Sequence, residues 1–85
     1  MISYEFRQFL NDKALEYLPA NKLKVGNKYN FRCPFCGDSK KSATKRRGWW
    51  YLDNADFHCF NCGTHLSGIK FLENVSGNDY YAIKD

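Results

Sequence analysis

The sequence predicts a small α+β fold, a three-stranded antiparallel sheet bearing two C-x-x-C knuckles, with one helix before it and a shorter one after it. Three observations lead there. The unit Phe31-Arg32-Cys33-Pro34-Phe35-Cys36-Gly37 recurs as Phe57-His58-Cys59-Phe60-Asn61-Cys62-Gly63; short alternating stretches adjoin both copies; and segments of helical period lie toward both ends of the chain.

Taken in order, Ser3 can cap a helix over residues 3–18 whose apolar positions Phe6, Leu10, Ala14, Tyr17 and Leu18 recur at three- and four-residue steps until Pro19 stops it. Leu23 and Val25 precede a Gly26-Asn27 turn signal, after which Tyr29-Asn30-Phe31-Arg32 alternates as a strand into the first knuckle. Trp49-Trp50-Tyr51-Leu52 reads as the second strand, Asp53-Asn54-Ala55-Asp56 as its turn, and Phe57-His58 as the third strand, leading into the second knuckle. Ser67 can cap a helix over residues 67–74 through Ile69, Phe71 and Leu72 that ends near Gly77. One domain is expected over residues 1–76, with the ribbon itself at 29–63 and residues 77–85 a polar tail or linker.

Cys33, Cys36, Cys59 and Cys62 form a C-x2-C-x22-C-x2-C pattern, which reads as a four-thiolate metal site. A C-x-x-C turn aims two sulfurs at one centre, and the glycine after the second cysteine can take positive φ where the chain curls back. Phe31 and Phe57 each stand two residues before their first cysteine, so strand periodicity puts each aromatic on its cysteine's face, where the pair can keep water from the metal. Two disulfides are the alternative use of four cysteines. Met1-Ile2-Ser3-Tyr4-Glu5 begins no signal peptide and no apolar run approaches membrane length, so a reducing, cytoplasmic setting and no membrane partner are expected. Between metals, one structural Zn²⁺ is expected over iron, because iron knuckles of the rubredoxin type sit in acidic electron-transfer domains and this chain is +4. His58 and His65 are not expected as ligands, since four sulfurs already fill a tetrahedral site.

A chain of 85 residues allows one modest core, and the metal is expected to decide whether its middle third folds. Basic and acidic side chains number five and three in residues 1–30, six and three in 31–63, and two and three in 64–85, so the positive excess surrounds the knuckles. It is densest between Asp38 and Gly48, a polar loop with five basic residues and no apolar residue larger than alanine.

The run Gly26-Asn27-Lys28-Tyr29 leading to Cys33-Pro34-Phe35-Cys36, then Phe57 to Gly63, then Ser67-Gly68-Ile69-Lys70-Phe71-Leu72 resembles the N-terminal zinc-binding domain of replicative DNA primases, in its phage type. The likeness covers roughly residues 24 to 74. Bacterial members commonly place His at the second ligand position, where this chain has Cys36, and Leu66 stands where Gly is usual. The resemblance implies a domain that recognises a primer initiation site on single-stranded template DNA and assists a separate catalytic domain in RNA primer synthesis. That catalytic domain, which would hold Mg²⁺, and a replicative helicase are the implied partners, in the cytoplasm of a phage-infected bacterium. The chain itself shows no catalytic centre, because Asp38, Asp53 and Asp56 fall singly on turns beside basic residues and no G-x-x-x-x-G-K-[ST] loop is present.

Single-strand binding needs cations that track phosphates and flat rings on which bases stack. The stretch from Lys40 to Tyr51 has both: Lys40, Lys41, Lys45, Arg46 and Arg47, then Trp49 and Tyr51. Alternation puts Arg47, Trp49 and Tyr51 on one face and Gly48, Trp50 and Leu52 on the other; Leu52 marks the second face as buried, which makes Trp49 the outward tryptophan. By the same parity Arg32 and His58 lie opposite Phe31 and Phe57 and join that outward face. Two other classes stay open: a free-standing zinc ribbon docking on a replication or transcription protein, and a rubredoxin-like electron carrier.

Overall fold

The computed structural model describes residues 3–20, 22–35 and 46–84. Ser3 caps helix α1 (Tyr4–Tyr17), its hydroxyl accepting the Phe6 N–H at 3.2 Å, and the helix ends at Leu18, before Pro19. The apolar stripe faces inward, with Leu10, Ala14 and Leu18 buried. Strands β1 (Leu23–Val25), β2 (Lys28–Phe31), β3 (Gly48–Tyr51), β4 (Asp56–Cys59) and β5 (His65–Ser67) follow, then helices α2 (Gly68–Ser76) and α3 (Tyr80–Lys84).

The strands form one antiparallel sheet in chain order. The three strands expected from the alternating stretches are its centre, β2, β3 and β4. The sheet is wider than expected because Leu23–Val25 pairs across the Gly26-Asn27 turn and His65–Ser67 folds back along β4 beyond the second knuckle. Cross-strand register sorts the residues into two faces. Tyr29, Trp50, Phe57 and Leu66 form one inward row, and Phe31, Gly48 and Cys59 the next.

Both long helices cover the inward face. Phe71 of α2 packs on Phe57 at 4.6 Å between ring centroids and on Trp50 at 5.4 Å, and Phe31 lies 5.8 Å from Phe57. All four rings are fully buried. Asn11 of α1 ties the layers together, accepting the Trp50 Nε1–H at 2.8 Å and donating to the Leu52 carbonyl at 3.0 Å. Gly68 opens α2 where only glycine fits: a Cβ there would stand 2.2 Å from the Ala55 carbonyl oxygen and 3.1 Å from both Leu10 and Trp50. Ser67 caps this helix through Lys70 N–H, and Gly77 closes it in the left-handed region at φ 76°.

Residues 77–85, expected as a polar tail or linker, instead carry α3. Its five residues are too few for periodicity to reveal. Asp79 accepts the Ala82 N–H, Glu73 accepts the Tyr80 N–H, Ile83 is buried, and the Tyr80 ring stands edge-on to Phe6 and Phe9. None of the described helices is long and apolar enough to cross a membrane.

Candidate metal centre and nucleic-acid interface

Strand β4 delivers Cys59 to the inward face, two residues after Phe57, and the chain then turns through the second knuckle to Cys62. The turn is tight. Gly63 takes φ +77° and donates its N–H to the Cys59 carbonyl at 2.9 Å, while Cys59 N–H reaches Thr64 at 2.9 Å. Two amides point at the Cys59 sulfur, Asn61 N–H at 3.3 Å and Cys62 N–H at 3.5 Å; in the first knuckle Phe35 N–H points at Cys33 Sγ at 3.4 Å. The repeat in sequence is therefore a repeat in geometry, with the amide two residues past each leading cysteine serving its sulfur.

The sulfurs of Cys33, Cys59 and Cys62 all lie within 4.8 Å of one another, and Cys33 Sγ stands 4.0 Å from Cys62 Sγ. That is twice a disulfide bond length. A tetrahedral site with Zn–S near 2.3 Å sets its sulfurs about 3.8 Å apart, so these three thiols fit a zinc ion. Burial pushes the Cys59 thiol up, and the N–H groups of Cys62 and Asn61 pull it back only in part. A bound cation supplies the remaining charge that makes thiolates the stable form. The Cys62 thiol donates to Thr64 Oγ1 at 3.1 Å, a hydroxyl that would donate in turn were this exposed sulfur a metal-bound thiolate, while Phe31 and Phe57 form a dry wall beside the buried pair, Cys33 and Cys59. Cys36, the expected fourth ligand, lies outside the described residues.

The outward face of the sheet carries the polar and aromatic residues. Asn30, Trp49, His58 and His65 form one cross-strand row, and Lys28, Tyr51, Asp56 and Ser67 the next. The two tryptophans part as alternation requires: Trp50 is fully buried and Trp49 half-exposed. Lys28 Nζ sits 4.7 Å above the Trp49 ring centroid and 5.9 Å from that of Tyr51, so one cation spans both rings. Burial first, and then the Asp56 carboxylate, push the Tyr51 phenol up, which keeps it a neutral hydrogen-bond donor. His58 packs against Phe60 at 4.5 Å between centroids and lies 5.7 Å from His65.

Of the residues singled out in the sequence, the structure brings Trp49, Tyr51 and His58 onto this one face. Arg47 reaches from the start of β3 to the second knuckle, where its Nη1 donates to Asn61 Oδ1 at 2.7 Å. The Arg46 carbonyl accepts from Asn30 Nδ2 at 3.0 Å, and Arg32 is half-buried between β2 and the first knuckle. Lys40, Lys41 and Lys45 lie outside the described residues. Sequence reasoning missed Lys28, Phe60 and His65 as members of this surface. Parity carried back along the first strand from Arg32 finds Lys28; Phe60 sits at a knuckle tip and His65 on a strand too short to foresee.

Paired cysteine knuckles at zinc spacing, set on adjoining hairpins of an antiparallel sheet, define a zinc ribbon. Residues 15–84 match the CHC2 zinc finger family. The chain is 48% identical over 68 residues to the DNA primase of Enterobacteria phage T4, an alignment covering 72% of this chain and 20% of that protein. It superposes with a TM-score of 0.66 and 26% identity on the crystal structure of the Aquifex aeolicus primase, which contains zinc-binding and RNA polymerase domains; the match covers 98% of this chain and 20% of that one. The chain belongs to the CHC2 zinc-finger family and is a DNA primase zinc-binding domain. It spans about a fifth of the length of these relatives.

Proposed function

We propose that this domain holds single-stranded template DNA on the outward face of its sheet, recognises the primer initiation site there, and assists a separate catalytic domain in making the RNA primer. One observation carries the reading: Lys28 stacked across Trp49 and Tyr51, on the same face as His58, puts a cation and two aromatic rings where successive bases and phosphates of one strand would run. Trp49 and Tyr51 are the stacking rings, His58 flanks them, and Arg32, Lys40, Lys41, Lys45, Arg46 and Arg47 supply phosphate contacts. Cys36 completes the zinc site as the fourth ligand, on the strength of its place in the repeated knuckle.

Primer synthesis requires carboxylates that align Mg²⁺ and nucleotide phosphates. The relatives' greater length, and the RNA polymerase domain of the Aquifex protein, support a catalytic partner for this domain. A replicative helicase as second partner rests on the family resemblance, and the cytoplasm of a phage-infected bacterium as its setting rests on the T4 relative.

The test is binding of fluorescent single-stranded oligonucleotides by the zinc-loaded chain across a salt series. Binding that weakens log-linearly with salt is expected. No binding at low salt, with the fold intact, would overturn the reading in favour of a ribbon that docks on protein.

A further inference from the structure

At one end of the outward face, between the β3–β4 turn and the second knuckle, Tyr51, Asn54, Asp56, His58, Phe60 and His65 line a groove of about 290 Å³. It lies at the small end of ligand pockets, which run about 300–1,000 Å³, and so suits a single ring system with its edge groups. One wall is apolar and unusually open. Phe60 is 63% exposed, held edge-on by His58 and otherwise offering its ring to solvent. The other wall is polar. Asp56 Oδ2 stands 3.2 Å from His65 Nε2, and with that nitrogen donating to the carboxylate the imidazole presents Nδ1 as an acceptor. The exposed Asn54 amide beside it offers both a donor and an acceptor.

Building on the single-strand reading above, we propose that this groove takes one unstacked base of the bound strand, with its face on Phe60 and its edge read by His65 and Asn54. A flat ring on one side and hydrogen-bond donors and acceptors on the other is the arrangement by which a base swung out of its stack is told from other bases. Stacking on the Trp49 platform accepts any base, because every base has a π-face. Strand retention and base choice are thus assigned to two neighbouring places, the platform and the groove. Asp56 is a positioning residue, since it orients His65 and does not itself meet the base. His58 orients Phe60 in the same way.

The test uses the zinc-loaded chain and oligonucleotides of about 12 nucleotides, a length within the range such surfaces cover. Each of the four bases, or an abasic residue, is placed in turn at each position of an otherwise uniform strand, and affinity is read by fluorescence anisotropy. At one position the wild-type chain should distinguish the best base from the abasic residue by about 10-fold, the scale of one stacked base. Phe60→Ala should bring that ratio to about one; Phe60→Trp should keep it. Asn54→Ala and His65→Ala should retain the abasic penalty but flatten the differences among bases. If Phe60→Ala and Asn54→Ala both keep full discrimination, the groove is not the reading site. If Phe60→Ala abolishes binding to every strand, Phe60 belongs to the general platform and the division of labour fails. A wild-type chain that binds strands without any base preference overturns this proposal and leaves the single-strand reading standing; one that binds no strand overturns both.

Discussion

Trp49 and Trp50 are neighbours in sequence and opposites in the structure: Trp50 Nε1 donates to Asn11 Oδ1 at 2.8 Å inside the core, while Trp49 lies on the far side of the same strand beneath the Lys28 ammonium. The pair separates support from contact. Trp50 bridges α1, β3 and Phe71 of α2, whereas Trp49 belongs to the outward row.

Truncating the two tryptophans should therefore give opposite results. Trp50→Ala is expected to destabilise the zinc-loaded fold by about 3–5 kcal/mol, the usual cost of a large buried ring. Trp49→Ala is expected to leave stability nearly unchanged and to weaken single-strand binding by about 1–3 kcal/mol with the same salt slope. Urea unfolding followed by circular dichroism, set beside oligonucleotide titrations, measures both. Unfolding of the Trp49 variant would make that ring part of the core.

Asn11→Ala isolates the polar link between the layers. It removes the partner of Trp50 Nε1 and of the Leu52 carbonyl while leaving the apolar packing in place. A buried donor left without a partner costs about 1–3 kcal/mol, so a destabilisation of that size is expected in the same unfolding experiment. Asn11→Asp should restore part of it through the retained acceptor.

Much of this architecture is legible in the chain itself, where local signals suffice. The caps at Ser3 and Ser67, the stop at Gly77 and the parity of Trp49 and Trp50 each rest on a few adjacent residues, and Leu52 shares its parity with the buried tryptophan. The knuckles repeat visibly. The features that local patterns do not mark depend on distant partners or on very short elements. The Asn11–Trp50 bond joins residues 39 positions apart, and no local pattern distinguishes Asn11 from any other polar residue of a helix. The edge strands β1 and β5 are three residues each, below the length at which alternation is informative, and they exist because β2 and β4 offer edges to pair with. Helix α3 is hidden by the same shortness, and it is held by Phe6, Phe9 and Glu73 from elsewhere in the chain.

Gly68→Ala should be more harmful than its helix position suggests. In an open helix the change would help by about 1 kcal/mol, but here the new methyl would meet the Ala55 carbonyl oxygen at 2.2 Å. Backbone cannot yield as a side-chain tip can, so a net destabilisation of about 1–3 kcal/mol is expected. The midpoint of thermal unfolding reads it directly; an unchanged or raised midpoint would mean that α2 can slide away from the β3–β4 turn.

Charge neutralisation should separate from stacking. Replacing Lys45 and Arg46 together by Ala should weaken binding to all single strands alike and reduce the slope of log affinity against log salt by about 0.7 for each phosphate that is no longer neutralised. Lys28→Ala is a more complex case, since it removes a cation and also uncovers the Trp49 ring. Its expected signature is a smaller salt slope with a base-stacking contribution that is preserved.

Zinc removal is the broadest test of how the fold is held. Phe31, Phe57, Cys33 and Cys59 converge on one side of the sheet, so extracting the metal would leave like-charged or newly protonated sulfurs packed against the rings that carry the core. Structural zinc contributes about 10–16 kcal/mol of binding free energy in small peptides, more than a domain of this size has to spare. Chelation at neutral pH is expected to abolish the dispersed amide spectrum of β2 to β5 and α2, and one equivalent of zinc should restore it. Cys59→Ser should mimic chelation more closely than Cys62→Ser, because Cys59 is buried, receives two amide donors and sits within β4, whereas Cys62 is exposed. A chelated chain that kept its native dispersion would show that the aromatic layer of Trp50, Phe57 and Phe71 holds the sheet without the metal, and zinc would then serve to fix the knuckles alone.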